Sequence, residues 1–279
     1  MREAIMRRPD MGRFFLRRML RKARNSAGLS QRDLGDAIGR SDDTIRGWEL
    51  GKTDVPHSCI DALAEATGMS SELRGYMKKV ARARHKGEPI PIEADMRFNA
   101  MYLSLGEAHY GDIFKWDSVL IPGPLQTQGF HFSVVRKSEL ISSDDYFEGG
   151  WRFKTERRRV LEDRQDQLKI QFLIGEAAFQ LLKREPEEIQ HEQLDFLDVC
   201  DRRPGWEIKV LTDPWASRQG NFEIYGEGSS SSAGPPFVYT EIHDSSWLIP
   251  NPSRIAKYDE FRQKRWPRAI RYEEYRNDY

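Results

Sequence analysis

The stretch LSQRDLGDAIGRSDDTIRGWELGK, residues 29–52, decides the fold of the first part of the chain. It holds two short helical patterns, each preceded by a serine that suits a helix N-cap, Ser30 and Ser41. Gly39 separates the two patterns and Gly51 follows the second, as expected where helices end. Apolar residues that would pack the two helices together recur at helical spacing: Leu34, Ile38, Ile45 and Trp48. The stretch therefore predicts two short helices joined by a tight turn.

Further helical patterns flank this pair on both sides. Residues 13–27 predict a helix that ends at Gly28, and its apolar positions are Leu16, Leu20, Ala23 and Ala27. Pro56 is expected to open a fourth helix that runs to Gly68, and Ser70 or Ser71 a fifth that runs to about Arg84. The sequence thus predicts a compact all-α domain of five helices over residues 13–84. Residues 85–92, with Gly87, Pro89 and Pro91, are predicted to be a linker.

The remaining residues, 93–279, mix strand and helix patterns without strict alternation, which indicates an α+β domain. A helix is predicted over 93–109, and other helices at about 145–165, 176–184, 187–202 and 252–269. The β-rich runs that predict strands are DIFKWDSVL, LKIQFLI, WEIKVLT, NFEIYG and FVYTEI. GEGSSSSAGPP, residues 226–236, is predicted to connect the last two of these strands.

Charge is segregated along the chain although the net charge of the 279 residues is zero. Residues 1–86 hold 19 Lys and Arg against 11 Asp and Glu, and the remainder holds 25 against 33. This asymmetry indicates a nucleic-acid-binding module joined to a second domain. No apolar run reaches the roughly 18 residues of a membrane span, no secretory signal is evident, and the two cysteines, Cys59 and Cys200, form no disulfide framework. We therefore expect a cytoplasmic protein that does not enter a membrane.

The paired helices match the pattern of a helix-turn-helix, in which the second helix lies in the major groove of DNA. The stretch resembles the phage-repressor-like helix-turn-helix of the XRE family over about residues 13–84. The residues that carry the resemblance are Leu29, Ser30, Gln31, Leu34, Gly39, Ser41, Thr44, Ile45, Trp48, Glu49, Gly51, Pro56, Leu63, Ala64 and Gly68. The resemblance implies that Gln31 contacts phosphate and braces the second helix. The resemblance and the charged residues beside the motif together predict these DNA contacts: Gln31, Arg32, Arg40, Ser41, Asp42, Asp43, Thr44, Arg46 and Lys52.

The expected base-reading positions depart from the family pattern, because they carry Asp42, Asp43 and Gly47. A carboxylate can accept a hydrogen bond from cytosine N4 but is repelled by phosphates, and the neighbouring arginines would have to compensate. Asp43 is open to two interpretations, a base contact or a favourable charge at a helix N-terminus. We expect double-stranded DNA to be bound with modest affinity, by a homodimer on paired half-sites.

The second domain lacks the usual signatures of catalysis. Its histidines are scattered, and it contains no HExxH, GxSxG, phosphate-binding loop or glycine-rich dinucleotide turn. We therefore expect no enzymatic activity, no metal site and no cofactor.

The second domain contains two distinctive motifs, IPGPLQTQGF (121–130) and GEAAFQLL (175–182). Together with RRRVLEDRQDQL (157–168) and FVYTEI (237–242), they resemble the uncharacterised C-terminal domain often fused to XRE regulators in actinomycetes. The residues that carry this resemblance are Pro122, Gly123, Leu125, Gln126, Thr127, Arg164, Gln165, Glu176, Ala177, Ala178, Tyr239 and Glu241. The chain departs from the pattern at Pro124 and Gly175.

This second resemblance implies a transcriptional regulator of antitoxin-like character. A small partner protein, acidic or neutral and encoded nearby, would bind the C-terminal domain, which would also dimerise. The predicted effector or partner site comprises Pro122, Gln126, Thr127 and Glu176, although Glu176 would equally suit a purely structural role at a helix N-terminus. Two alternatives stay open: a small molecule held at the same residues that gates DNA binding, and a protein-binding antitoxin or scaffold with little DNA binding.

Overall fold

The computed structural model describes residues 10–88, 93–94, 96–138, 143–164, 167–213, 215, 220–242 and 245–278. The chain forms two compact units, Met1–Leu105 and Gly106–Tyr279. A helical region followed by a mixed sheet with helices confirms the predicted fold class. The units divide after Leu105, whereas the sequence placed a linker at 85–92. Residues 89–92 of that linker lie outside the described residues, as does Gln165.

Five helices make up most of the first unit, as predicted. They are α1 (Met11–Ser26), α2 (Gln31–Ile38), α3 (Asp42–Leu50), α4 (Ile60–Thr67) and α5 (Ser71–Lys86). A two-residue strand, β1 (Glu93–Ala94), follows, and α6 (Met96–His109) begins in this unit. The hydroxyls of Ser30, Ser41 and Ser70 each accept a hydrogen bond from the backbone N–H three residues later. These N-caps fix where α2, α3 and α5 begin.

Two details of these helices differ from the prediction. Pro56 does not open α4 directly, because the chain first makes a 3₁₀ turn over His57–Cys59, in which the Cys59 N–H donates to the Pro56 carbonyl at 3.0 Å. Ala27, which the periodicity placed on the apolar face of the first helix, is exposed because it follows the last turn of α1.

The core of the first unit lies between all five helices. Its fully buried side chains include Phe15, Leu16, Leu20, Leu34, Ile45, Ile60, Leu63 and Tyr76. Phe15 stacks on Tyr102 at 4.8 Å between ring centroids and meets the edge of Tyr76 at 5.2 Å. Burial of these apolar surfaces supplies most of the stabilisation of such short helices.

A mixed sheet forms the centre of the second unit. Its strands are β2 (Asp112–Asp117), β3 (Lys169–Gly175), β4 (Trp206–Leu211), β5 (Phe222–Gly226), β6 (Phe237–Glu241), β7 (Ser246–Ile249) and β8 (Ile270–Arg271). They lie in the order β7-β6-β5-β2-β3-β4-β8. Strands β2, β3 and β4 are parallel, and their flanking neighbours pair antiparallel. All five predicted runs form strands, and the sequence missed β7 and β8.

Parallel strands need a long crossover connection, and helices supply it here. Between β2 and β3 lie α7 (Gln128–Phe130), a π-helical turn (His131–Val135), α8 (Arg136–Ser138) and α9 (Asp144–Glu162). Between β3 and β4 lie α10 (Glu176–Leu182) and α11 (Glu187–Asp201), and the chain closes with α12 (Pro252–Arg265) and α13 (Tyr272–Asn277). The predicted helix over 252–269 ends at Arg265 and gives way to a 3₁₀ turn, Trp266–Arg268.

One face of the sheet carries an apolar cluster against α12. Phe114, Trp116 and Phe222 are buried there, and Phe261 of α12 lies 5.2 Å from Trp116 and 5.3 Å from Phe222 between ring centroids. The Arg262 guanidinium binds the Asp112 carboxylate through two hydrogen bonds of 2.8 and 2.9 Å. These contacts fix α12 on the sheet.

Candidate nucleic-acid interface

The turn between α2 and α3 has the close geometry of a helix-turn-helix. Gly39 ends α2 with φ 66°, a left-handed conformation that favours glycine. The Arg40 N–H then donates to the Gly35 carbonyl at 2.8 Å. A Cβ atom at Gly35 would lie 2.6 Å from the Arg40 carbonyl oxygen, so glycine is needed there for the two helices to approach. Gly35 was not predicted to have this role, although a glycine within a helical pattern is a signal that the sequence offers.

The predicted DNA contacts lie mostly on the solvent-facing surface of α2, α3 and the adjoining loops. The exposed ones are Arg32, Arg40, Ser41, Asp42, Asp43, Arg46 and Lys52. Gln31 and Thr44 are half-buried. The structure thus leaves these side chains where a ligand outside the helix pair could reach them.

The first turn of α3 carries its two carboxylates in different environments. The Asp43 carboxylate lies 3.5 Å from the Arg46 guanidinium, one helical turn away. The Asp42 side chain has no ion pair or hydrogen bond among the described residues. The Ser41 hydroxyl caps the helix and lies 2.9 Å from the Thr44 hydroxyl, so both hydroxyls are engaged. Asp42 is therefore the polar side chain of this turn that remains without a partner in the described structure.

A chain of hydrogen bonds joins α1, α2 and α3 beneath this surface. Glu49 is buried, and its carboxylate accepts hydrogen bonds from the Arg24 guanidinium at 2.6 and 3.1 Å. It accepts a third from the Gln31 amide at 2.8 Å. The Gln31 amide oxygen in turn lies 3.5 Å from the Arg46 Nε atom. Gln31 of α2 thus bonds to Glu49 and lies near Arg46, both on α3, and its contact with a DNA phosphate stays a prediction.

Several basic residues of the first unit serve the fold rather than its outer surface. The Arg13 and Arg17 guanidinium groups lie 3.4 and 3.5 Å from the Gly51 and Leu50 carbonyls, at the C-terminus of α3. Such cations favour a helix C-terminus. Burial by itself would raise the pKa of the Asp54 carboxyl. Hydrogen bonds from Arg13 and Arg84 nevertheless hold that pKa below its ordinary value. The surplus positive charge of this unit is therefore only partly available to DNA.

In the second unit, the Pro-Gly-Pro-Leu-Gln-Thr turn is held by side chains from two helices. Gln126 is buried, its amide donating to the Ile121 carbonyl at 2.6 Å and accepting from Lys154 Nζ at 2.8 Å. Gln193 of α11 accepts from the Thr127 N–H at 2.9 Å and donates to the Leu125 carbonyl at 2.8 Å. The Thr127 hydroxyl caps α7. Gln126 and Thr127 thus make their hydrogen bonds within the domain.

Glu176, the other residue predicted for this site, begins α10 at the end of β3 and is half-buried. No hydrogen bond or ion pair among the described residues joins it to Gln126 or Thr127. Its position in the first helical turn is the one that a structural role at the helix N-terminus requires.

A buried ion-pair network that sequence analysis missed lies under the sheet. Lys115 of β2 is fully buried, and its ammonium group donates to Glu107, Glu223 and Tyr225. The Arg157 guanidinium binds the Glu107 carboxylate at 2.6 and 2.7 Å. Burial alone would raise the pKa of Glu223, but Lys115 and Arg157 hold it below its ordinary value. The charges are mutually satisfied, so the network ties α6 and α9 to the sheet.

Neither a membrane span nor a metal site is visible in the described parts of the chain. No helix there is both long and apolar enough to cross a bilayer. Within the described ranges, no group of three or more His, Cys, Asp or Glu side chains could hold a metal ion. Cys59 and Cys200 are buried free thiols, and burial raises the pKa of Cys200 to about 12.

Comparison with known protein families identifies both units. A helix-turn-helix domain family matches residues 16–76, which confirms the predicted motif. A domain of unknown function, DUF5753, matches residues 105–276. No curated protein and no solved structure matches the chain. The chain therefore belongs to the DUF5753 family and carries a helix-turn-helix domain at its N-terminal end.

Proposed function

We propose that this protein is a sequence-specific transcriptional regulator, of repressor or antitoxin-like type and related to the XRE family, that binds double-stranded DNA through α2 and α3. The observation that carries the proposal is the exposed surface of α3. The Arg24–Glu49–Gln31 hydrogen bonds hold this helix in place, and it lies in the region that matches a helix-turn-helix domain family. A helix presented in this way fits the major groove, which is about 12 Å wide. No enzymatic step is part of the proposal.

The second unit is proposed to dimerise and to bind a small partner protein. Dimerisation is expected because a single helix-turn-helix binds weakly, and two half-sites one helical turn apart multiply the affinity. A partner protein is favoured over a small molecule, because the polar atoms of Gln126 and Thr127 already bond within the domain. A small ligand there would have to replace these hydrogen bonds at a cost in free energy.

Footprinting of the full chain on the DNA upstream of its own gene tests the DNA-binding part. We expect two protected half-sites about 10 base pairs apart, or a multiple of this spacing. Absence of protection at concentrations where the chain is folded would favour the alternative of a protein-binding antitoxin or scaffold.

Sedimentation equilibrium tests the proposed assembly separately. The full chain alone should sediment as a dimer.

Co-purification tests the proposed partner. When the chain is co-expressed with the products of the adjacent genes, a small acidic or neutral protein should co-purify at a fixed ratio. A monomer that binds no such product would contradict the proposed role of the second unit while leaving DNA binding intact.

A further inference from the structure

The first turn of α3 offers one unengaged polar group to a ligand in front of it. Asp42 is exposed and has no partner among the described residues, whereas Asp43 lies 3.5 Å from Arg46. The Ser41 and Thr44 hydroxyls bond each other, and the Ser41 hydroxyl also accepts a hydrogen bond from the Thr44 N–H. If α3 enters the major groove, as the proposed function states, Asp42 is the side chain of this turn that is free to meet a base edge.

A carboxylate can only accept hydrogen bonds, and this restricts the bases it can select. In the major groove the donors are the exocyclic amino groups of cytosine and adenine, N4 and N6. Adenine also presents the acceptor N7 beside N6, which repels the second carboxylate oxygen, and cytosine has no such acceptor. Guanine and thymine present the oxygens O6 and O4 instead. The chemistry therefore ranks cytosine first.

The surroundings of Asp42 reduce the repulsion between its carboxylate and the DNA phosphates. Asp42 occupies the first position of a nine-residue helix, where the unpaired backbone N–H groups favour a negative charge. Exposed arginines stand on both sides of it in the sequence, Arg40 in the turn before α3 and Arg46 one turn along it. These cations can face phosphates while Asp42 faces a base.

We propose that Asp42 is a specificity-determining residue that selects cytosine at one base pair of each half-site. The proposal rests on the proposed function and adds to it the base that α3 recognises. It also gives the two adjacent carboxylates different roles, since Asp43 is engaged by Arg46.

The test compares the full-length wild type with Asp42→Asn and Asp43→Asn in selections from a randomised duplex pool. The best duplex is then varied at each position and measured by competition anisotropy. Asparagine can donate to adenine N7 and accept from N6, so Asp42→Asn should change the preferred base at one position from cytosine to adenine. The preference there should be roughly tenfold or more.

Asp43→Asn is the matched control, because it removes the same charge from the neighbouring exposed position. It should change affinity for all duplexes alike and keep the cytosine preference. An Asp42→Asn variant that keeps the wild-type base profile and binds every duplex more tightly would overturn the proposal, since Asp42 would then only repel phosphates. A wild type that binds DNA without preferring cytosine anywhere would also overturn it.

A folded wild type that binds no duplex would be a different result, because the proposed function itself would then fail. Circular dichroism of each variant separates loss of folding from these outcomes. Asp42 and Asp43 are exposed, so both variants should fold as the wild type does.

Discussion

Removal of the Arg24 side chain should destabilise the helix-turn-helix unit substantially. In Arg24→Ala the buried Glu49 carboxylate loses two hydrogen bonds, of 2.6 and 3.1 Å, and keeps the 2.8 Å bond from Gln31. The Leu29 carbonyl also loses its 2.7 Å bond from Arg24. The Glu49 side chain is 3% exposed and that of Arg24 11%, so the charge left behind is poorly solvated.

Breaking a buried ion pair by removing one partner costs about 3–5 kcal/mol. Because Gln31 still donates to Glu49, and water can enter where the arginine was, we expect the lower end, about 3 kcal/mol. For a unit of this size that corresponds to a fall of at least about 10 °C in the Tm of its transition. Calorimetry of the full chain measures the fall, and hydrogen exchange of α1–α3 peptides assigns it to the first unit.

Two further variants make this reasoning refutable. Arg21→Ala, at an exposed position of the same helix, should change stability by no more than about 0.5 kcal/mol. Arg24→Met combined with Glu49→Leu should recover most of the loss, because no unpaired charge remains buried. A loss below about 1 kcal/mol in Arg24→Ala, or a double variant no better than the single one, would refute the argument.

Three other changes test the site and the second unit. Arg46→Ala should weaken binding to all duplexes and lower the slope of log affinity against log salt by about one, whereas Arg82→Ala on α5 should not; an unchanged slope would remove Arg46 from the phosphate contacts. Gly35→Ala should lower both thermal stability and DNA affinity, because the added Cβ would meet the Arg40 carbonyl oxygen. Gly75→Ala, in open space on α5, should instead stabilise the first unit by about 0.5–1 kcal/mol. Equal effects of the two changes in calorimetry would contradict this. Burial and the nearby carboxylates of Glu241 and Glu223 raise the pKa of Asp117 to about 7. The folded chain therefore binds the proton of the Asp117 carboxyl more tightly than the unfolded chain does. The free energy of unfolding should thus fall as pH rises from about 4 to 7. Asp117→Asn should flatten that dependence in urea unfolding and be the more stable form above pH 7; identical pH profiles would contradict the assignment.

The features that sequence predicted are those set by neighbouring residues. Ser30 and Ser41 cap their helices through bonds to residues three positions on, and Gly39 takes its left-handed conformation locally. The five β-rich runs were long enough to show alternation or a continuous apolar stretch. Local patterns of this kind gave the helix-turn-helix and the outline of the second unit.

The features that sequence missed depend on residues far apart in the chain. Arg24 and Glu49 are 25 positions apart, and Lys115 and Glu223 are 108 apart, so nothing local reveals that they pair. Strand β7 was missed because its four residues are too few to show a period. Glu49 matched the family pattern without its role being evident, and the structure shows it as the acceptor that connects α1, α2 and α3.

Fluorescence anisotropy at several salt concentrations tests the central claim most directly. The full chain is titrated against a labelled duplex from upstream of its own gene and against a scrambled duplex of the same composition. We predict a preference for the native duplex that persists as salt rises, since base contacts depend less on counterion release than phosphate contacts do. Weak binding that disappears equally for both duplexes would contradict sequence-specific recognition by α3.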